Sequence, residues 1–366
     1  MPRLFISALA VVTLLLFGIS PSVAQDKGKN KKDKGDVAQS AEINALMAAV
    51  DALMGGNAGD NTLPLKWEQH HFIKAMGSKT YVPFTLAIDP PAFTAATTVG
   101  IYVRVAKHGE PAPAPAPAPP ADPKKDKAAA PVPAPPQYPF DYGFFMDVAP
   151  AAPGQPQRIR RAFDVEPGEY DVFIAVREKA KDASTPVASL KTGTLKQSVS
   201  VPAYDGNELT TSSIIVAEKV DVLTAPLSND HQAENPYTFG QVKLTPSVAN
   251  KFTKKDDLNV FFWIYGEQMD PATKKPNMTV DFNFSRKLPE GEKFFNRTEP
   301  EELSASTLPP TLDFSAGPQP LPGSLQVPLA SFPEGDYHLE IKMVDKVSGK
   351  SLSRDVTFTV APSAVQ

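Results

Sequence analysis

Short segments in which apolar and polar residues alternate recur along the chain, and this alternation limits the fold more than any other feature. In TYVPFTLAI the apolar residues Val82, Phe84, Leu86 and Ile88 take every second position, and TTVGIYVRV, YPFDYGFFMDV and RIRRAFDV repeat the pattern. A period of two places alternate side chains on opposite faces of a strand. The segments are bounded by Pro, Gly or Asp, as strands joined by turns are. We therefore expect half-buried antiparallel strands, with the arginines of RIRRAFDV on the outer faces.

The segments group into two sets. Three more candidates, Tyr170–Glu178, Thr194–Val201 and Leu209–Val220, complete seven strands for a first domain at residues 63–225. The polar linker LSNDHQAEN follows, and a second domain at residues 236–361 contains LNVFFWIYG, which is apolar on both faces as a central strand would be, then NMTVDFNF, SLQVPLASF, YHLEIKMV and DVTFTV. The predicted fold class is all-β: two tandem immunoglobulin-like antiparallel β-sandwiches, one N-terminal amphipathic helix and a disordered Pro/Ala-rich insertion.

One segment occurs twice. EPGEYDVFIAVRE and FPEGDYHLEIKMVD align so that Gly168-Glu169-Tyr170 matches Gly335-Asp336-Tyr337. In immunoglobulin-like domains a tyrosine at such a turn often hydrogen-bonds back to the chain, which is called a tyrosine corner. Tyr170 and Tyr337 are the candidates, and the alternative is that both are simply aromatic strand residues. Each copy is expected to close its own sandwich.

A helix is predicted before the first domain, at residues 37–56. Its apolar residues recur at steps of three and four, and Gly55-Gly56 would end it. A short isolated helix is marginal in water, so the apolar side must be covered. Docking on the first sandwich is favoured over association between chains, because the connection to LPLKW is short.

A Pro/Ala-rich stretch, residues 109–137, interrupts the first domain. Proline lacks the N–H that a strand ladder needs, so this stretch is expected to be an extended, disordered excursion of a hairpin loop. It is interpreted as a tolerated low-complexity insertion, with spanning of the cell wall or binding to a partner groove as the alternatives.

The N-terminus has the features of an export signal. Arg3, an apolar run and small residues at Ser22 and Ala24 predict a signal peptide at residues 1–24, followed by a disordered Lys-rich tether at 25–36. The mature chain is then exported, periplasmic or extracellular, with no integral membrane segment. The chain has no cysteine, so disulfides and cysteine metal sites are excluded. Its net charge of −4 argues against nucleic-acid binding.

The stretch VPLASFPEGDYHLEIKMVDKVSGKSLSRDVTFTV, and more weakly SVSVPAYDGNELTTSSIIVAEKV, resembles the tandem immunoglobulin-like sandwiches of a group of uncharacterised secreted bacterial proteins. Similar modules accompany GWxTD-motif and von Willebrand A-like proteins. Neither the GWxTD string nor Asp-x-Ser-x-Ser occurs in this chain, so the resemblance implies a sandwich module of an exported bacterial protein and transfers no activity.

Motifs that carry chemistry are nearly absent. WEQHHF places Glu68 beside His70 and His71, but adjacent strand residues point to opposite faces, which is poor for one metal ion. Asp230, His231 and Glu234 form a second weak group in the linker. Three glycosylation sequons, at Asn277, Asn283 and Asn296, are interpreted as chance matches. The sequence therefore predicts no catalytic, cofactor-binding or metal-binding residues.

Two functions remain open. The favoured one is a non-enzymatic binding or structural protein of the bacterial cell envelope, whose partner is a protein or a polysaccharide. The alternative is a secreted carbohydrate-active hydrolase, which would need two facing carboxylates in a cleft.

Overall fold

The computed structural model describes residues 34–57, 61–110, 137–180, 185–186, 189–310, 312–315 and 317–362. The predicted signal peptide, most of the predicted tether and residues 111–136 of the Pro/Ala-rich insertion lie outside these ranges. The described chain divides into two compact units. The N-terminal unit contains residues up to 70 together with 84–203, and the C-terminal unit contains 71–83 together with the chain from 204 onward.

The elements follow one another in this order: α1 (Lys34–Met54), β1 (Leu65–His70), β2 (Ile73–Lys74), β3 (Thr80–Ile88), β4 (Thr97–Lys107), β5 (Phe140–Val148), β6 (Gln157–Val165), β7 (Gly168–Glu178), β8 (Thr192–Val201), β9 (Thr210–Thr211), β10 (Ile215–Val222), α2 (Asn229–Glu234), β11 (Thr238–Phe239), β12 (Val242–Pro246), β13 (Lys251–Thr253), β14 (Asp257–Tyr265), β15 (Met278–Leu288), β16 (Gly291–Arg297), β17 (Glu301–Leu303), β18 (Leu321–Pro328), β19 (Gly335–Asp345) and β20 (Ser351–Ala361). This content confirms the all-β fold class.

The N-terminal unit is a β-sandwich. In one sheet β1 and β6 both pair with β3, and the other sheet has the order β5-β4-β7-β8. Side chains meet between the sheets: the rings of Phe140 on β5 and Phe163 on β6 lie 6.1 Å apart. Arg161 is 4% exposed and stacks over the ring of Phe144 at 4.3 Å. The prediction of arginine on the outer faces is therefore wrong for Arg161, which lies on the same face of β6 as buried Ile159 and Phe163.

Helix α1 packs on the outer face of the β5-β4-β7-β8 sheet. It buries Leu46 and Val50 against Tyr102, Phe173 and Ala175. For this reason β4 and β7 are buried on both faces, whereas the alternation predicted half-buried strands. The approach is close: a Cβ on Gly143 of β5 would lie 2.8 Å from the Ile43 side chain, and one on Gly100 of β4 would lie 2.9 Å from Leu46.

Helix α1 starts earlier than predicted and ends in a hydrogen-bonded turn. It begins at Lys34, three residues before the predicted start, and ends at Met54. The amides of Gly56 and Asn57 donate to the carbonyls of Leu53 and Ala52, at 3.1 and 2.9 Å. This pair of bonds is the Schellman arrangement, in which otherwise unpaired carbonyls of the last turn are satisfied.

A buried arginine fastens α1 to the sheet. Arg104 on β4 is 4% exposed and pairs with Asp51 on the helix. Its Nε donates to Asp141 on β5 at 2.9 Å, and its guanidinium lies 4.3 Å from the ring centre of Tyr138. Burial opposes its charge, but the hydrogen bonds to the two aspartates outweigh burial and raise the pKa of Arg104. The guanidinium is therefore charged throughout the physiological range.

The C-terminal unit is a second sandwich, with sheets ordered β11-β12-β10-β14-β18 and β13-β20-β19-β15-β16. β14 lies between β10 and β18, which confirms the central strand predicted from LNVFFWIYG. The rings of Phe262 and Phe282, one from each sheet, lie 6.5 Å apart. A continuous core fills the space between the sheets and includes Val260, Phe262, Val280, Phe284, Phe332, Leu339, Ile341 and Phe358.

Three features differ from the expectation. The predicted strand Leu209–Val220 is two strands, β9 and β10, and both pair with β14 of the C-terminal unit, so the boundary lies near residue 203 and not at 225. The predicted linker contains a short helix, α2. β13 pairs with β20 in parallel, an exception to the antiparallel pattern. Alternation identifies a strand but does not identify its partner, and this explains the first difference.

Candidate binding face

The outer surface of the β13-β20-β19-β15-β16 sheet carries a regular set of polar side chains, which we call the polar face. Two cross-strand rows define it: Phe294, Ser285, His338 and Thr357 in the first, and Arg297, Asn283, Glu340 and Asp355 in the second. The residues between these positions, such as Phe284, Leu339 and Val356, belong to the core. Four strands at the usual spacing make the face about 14 Å wide.

A histidine links two carboxylates across this face. His338 on β19 contacts Glu292 on β16 through Nδ1 at 2.9 Å and Asp355 on β20 through Nε2 at 2.7 Å. Partial burial lowers the pKa of His338, but the hydrogen bonds to both acids outweigh burial, so the pKa lies above its ordinary value. Both carboxylates remain substantially exposed, at 48% and 64%, and keep lone pairs available to a ligand.

A second linked group lies in the adjacent row. Glu340 on β19 accepts a hydrogen bond from the Asn283 amide on β15 at 3.1 Å and one from the Ser353 hydroxyl on β20 at 3.2 Å. These bonds restrict the side-chain rotamers before any ligand arrives. Less conformational entropy is then lost on binding.

An aromatic ring stands in the same surface. Phe294 on β16 is 62% exposed, although its neighbour Phe295 packs against Phe332 and Tyr337 in the core. Consecutive residues of a strand point to opposite faces, so these two phenylalanines lie on opposite sides of the sheet. The pairing of β15 with β16, which has a register shift between Phe284 and Ser285, places Phe294 opposite Ser285 on the outer side. The face therefore combines fixed hydrogen-bonding groups with one open aromatic surface.

The polar face is not predicted by the sequence, although its polar positions can be recognised there. The outward positions of NMTVDFNF and YHLEIKMV are polar, as alternation requires, but any solvated sheet face has that pattern. Nothing in EKFFNR shows which phenylalanine is exposed, because the register that decides it is a property of the pairing between strands.

Tyr170 and Tyr337, the two residues singled out from the repeat, have equivalent contacts. Tyr170 donates its hydroxyl to the carbonyl of Glu166 at 2.9 Å, and Tyr337 donates to Pro333 at 2.6 Å. Both rings are buried. Each tyrosine lies at the start of a strand, β7 or β19, and bonds back to the chain, and its assignment as a tyrosine corner stays a prediction.

The WEQHHF residues contact different partners. Glu68 accepts two hydrogen bonds from Arg158, at 2.7 and 3.3 Å. His70 lies 3.0 Å from Trp67 Nε1, and burial lowers the pKa of its imidazole. His71 is buried and its Nδ1 lies 2.9 Å from the Tyr237 hydroxyl. In the linker, His231 contacts Ser228, Glu234 is exposed, and the side chain of Asp230 lies outside the described part.

Two glutamates, Glu267, which is buried, and Glu301, which is half-buried, were also missed. Glu267 is 3% exposed, and burial raises its pKa to about 7, with the nearby Asp345 charge adding to the effect. Burial alone raises the pKa of Glu301 to about 7. Asp345 is fully buried and accepts hydrogen bonds from Gln268, Val347 and Ser348. Glu267 and Asp345 thus form a pair of neighbouring acids, but both are covered by protein.

Comparison with known proteins identifies no family. No protein-family model and no curated protein matches the chain. Among solved structures, the chain is similar to Salmonella alpha-2-macroglobulin reacted with methylamine, with 10% identity and a TM-score of 0.18 over 83% of this chain and 17% of that one. It is also similar to the native conformation of E. coli alpha-2-macroglobulin, with 9% identity and a TM-score of 0.20 over 82% and 16%.

The chain spans about a sixth of the length of these proteins. Because both TM-scores are low, no functional conclusion follows from the likeness. Neither helix in the described ranges is long and apolar enough to cross a membrane.

Proposed function

We propose that this chain is an exported, non-enzymatic binding protein of the bacterial cell envelope, and that the polar face of its C-terminal unit holds a polysaccharide. The observation that carries the proposal is the exposed ring of Phe294, placed in register with hydrogen-bonded polar side chains. The signal-like N-terminus supports export. The resemblance of VPLASFPEGDYHLEIKMVD to modules of secreted bacterial proteins supports a location in the cell envelope.

The chemistry of the face suits a sugar polymer. An aromatic ring has a negative face, which attracts the weakly positive C–H groups on the apolar side of a sugar ring. Exposed carboxylates such as Glu292 and Asp355 accept strong hydrogen bonds from hydroxyl groups. A sheet face about 14 Å wide presents these groups side by side to an extended chain.

Other polymers suit it less well. The outward acids Asp281, Glu292, Glu340 and Asp355 outnumber the outward bases Lys287, Arg297 and Lys342, so phosphate-rich or other anionic polymers are disfavoured. The centre of a protein–protein interface is usually depleted of charged residues, whereas this face contains several. A neutral or amino-sugar polysaccharide is therefore the favoured ligand class.

The positions of the acids support a non-enzymatic role. A general acid must reach the group that it protonates. The two glutamates with a pKa near 7 are Glu267 and Glu301, and neither contributes to the polar face. Asp345, next to Glu267, is occupied by hydrogen bonds from its own turn.

The test is retention of the purified chain on insoluble polysaccharides. Peptidoglycan sacculi, chitin and an insoluble β-glucan are incubated with the wild type and with Phe294→Ser, and bound protein is measured after sedimentation. Val222→Ser is the matched control, because Val222 is a similarly exposed apolar residue, at 68%, outside the polar face. We expect at least one polysaccharide to retain the wild type and the control, with retention reduced about tenfold or more for Phe294→Ser.

The same reactions are assayed for released reducing ends. Equal retention of all three proteins, or no retention on any polymer, would overturn the proposed binding face. Release of reducing ends that scales with protein concentration would favour the hydrolase alternative instead.

A further inference from the structure

Glu267 occupies an unusual environment two residues after the end of β14. It is 3% exposed, and within the described residues its carboxyl oxygens have no hydrogen-bond donor other than the backbone amide of Glu267 itself. Leaving an ionised carboxylate buried without donors is very costly, whereas a protonated carboxyl has no charge to desolvate. The surroundings of Glu267 therefore favour its neutral form.

The charged groups that face Glu267 do not offset the free-energy cost of ionising its buried carboxyl. Asp345, from the β19–β20 turn, repels a second negative charge. Lys74, from β2, attracts it, but its ammonium donates to the Tyr204 carbonyl at 3.2 Å and lies 3.6 Å from Asp205. The attraction from Lys74 is thus shared with other acceptors.

Glu267 belongs to a loop that is fastened at several points, residues 266–276, which we call the Glu267 loop. The amide of Gln268 donates to Asp345 at 3.0 Å, and Met269 forms a bridge with Pro276. Gly266 has φ of 77°, and a Cβ there would lie 2.1 Å from the carbonyl oxygen of Glu208. The backbone at Gly266 is thus held tightly, so Glu267 cannot turn outward without moving the loop.

We propose that protonation of Glu267 controls the conformation of the Glu267 loop: the loop is closed while the buried carboxyl is protonated, and it opens when the proton is lost. This conformational device is separate from the polar face and does not depend on polysaccharide binding. It makes the loop end of the C-terminal sandwich responsive to pH across the range in which an exported protein is exposed to its environment.

The direction in which pH changes the opening of the Glu267 loop follows from the linkage between proton binding and loop closure. In the closed loop burial raises the pKa of Glu267 to about 7, from the ordinary value of 4.5 that an open loop restores. Between these values the closed form holds a proton that the open form releases, so closure weakens as pH rises from 4.5 to about 7 and then levels off. The shift corresponds to roughly a 50- to 100-fold increase in the opening equilibrium between pH 5 and pH 8.

The test is amide hydrogen exchange of the full chain at pH 5 and pH 8, corrected for the intrinsic pH dependence of exchange. We expect protection of residues 266–276 to fall roughly 50- to 100-fold in the wild type. In Glu267→Gln, which keeps the shape but cannot ionise, protection should be independent of pH. Glu290→Gln, at an exposed glutamate of the same unit, serves as the control and should behave as the wild type.

A wild-type loop whose corrected protection does not change with pH would overturn the proposal, as would the same change in Glu267→Gln. If Glu267→Gln does not fold, the ¹³C signal of the Glu267 carboxyl in the wild type decides the matter. Titration near pH 7 supports the device, and titration near 4.5 contradicts it.

Discussion

Tyr337 and Tyr170 make the same hydrogen bond in two different sandwiches: each hydroxyl donates to the carbonyl oxygen four residues earlier, Pro333 at 2.6 Å and Glu166 at 2.9 Å. The strands that carry them, β19 and β7, begin at Gly335 and Gly168 and pair with the final strand of their own sandwich, β20 and β8. The repeated segment in the sequence thus marks one structural position that occurs once in each unit.

The first prediction concerns this bond. Tyr337→Phe and Tyr170→Phe keep the buried ring but leave a carbonyl oxygen without its donor, so each should lower the free energy of unfolding of its own unit by about 1 kcal/mol. Urea unfolding measures the loss. Tyr142→Phe is the control, because Tyr142 is 38% exposed. Wild-type stability in both variants would show that the tyrosines are only aromatic strand residues.

Much of the fold could be predicted from sequence, because alternation and burial are coupled in strands. Segments such as TYVPFTLAI and LNVFFWIYG coincide with β3 and β14. The predicted assignment of β10 to the N-terminal domain is wrong, because alternation contains no information about which strand is the pairing partner. The inward position of Arg161 was missed because a guanidinium over an aromatic ring can replace an apolar side chain in the core.

The candidate site was largely invisible in the sequence. Phe294 and Phe295 are identical neighbours on opposite faces of β16, and the register of its pairing with β15 decides which of them is exposed. Glu267 resembles any glutamate after a strand, since Asp345 and Lys74, the charges that act on its pKa, are distant in sequence. Both features arise from tertiary contacts and have no local signature.

A second prediction concerns the docked helix. Replacing both Leu46 and Val50 with Asp buries two carboxylates against Tyr102 and Phe173, so the N-terminal unit should lose at least about 3 kcal/mol of stability. The size of the protein in solution should not change. Ala48→Asp, on the exposed side of α1, should have little effect. Sedimentation together with thermal unfolding checks both expectations, and conversion of a dimer into an equally stable monomer would contradict docking.

A third prediction concerns Arg104. Arg104→Met removes the cation that pairs with Asp51 and Asp141 and leaves the half-buried Asp141 without its partner, which should cost about 3 kcal/mol. Helix α1 should also become sensitive to limited proteolysis. Lys66→Met is the control, because Lys66 and Asp89 form an exposed pair worth less than about 1 kcal/mol. A loss no larger than that of the control would show that Arg104 does not fasten the helix.

A fourth prediction concerns His338 and pH. Its pKa is raised in the folded chain, because the hydrogen bonds to Glu292 and Asp355 outweigh burial. The imidazolium therefore stabilises the fold below the unfolded value of 6.5, and this contribution is lost as pH rises through the folded pKa. The stability difference between wild type and His338→Gln should be larger at pH 5.5 than at pH 8.5. A difference that is constant, or that grows with pH, would contradict the assignment.

The most direct test of the central claim is an NMR titration of the C-terminal face with soluble fragments of whichever polysaccharide retains the chain. Binding at the polar face should shift the imidazole signals of His338, the side-chain amide of Asn283 and the ring signals of Phe294, and leave those of exposed Tyr142 in the other unit unchanged. Shifts that cluster away from these three residues, or retention on the polymer without any change in their signals, would contradict the proposal that this face binds the polysaccharide.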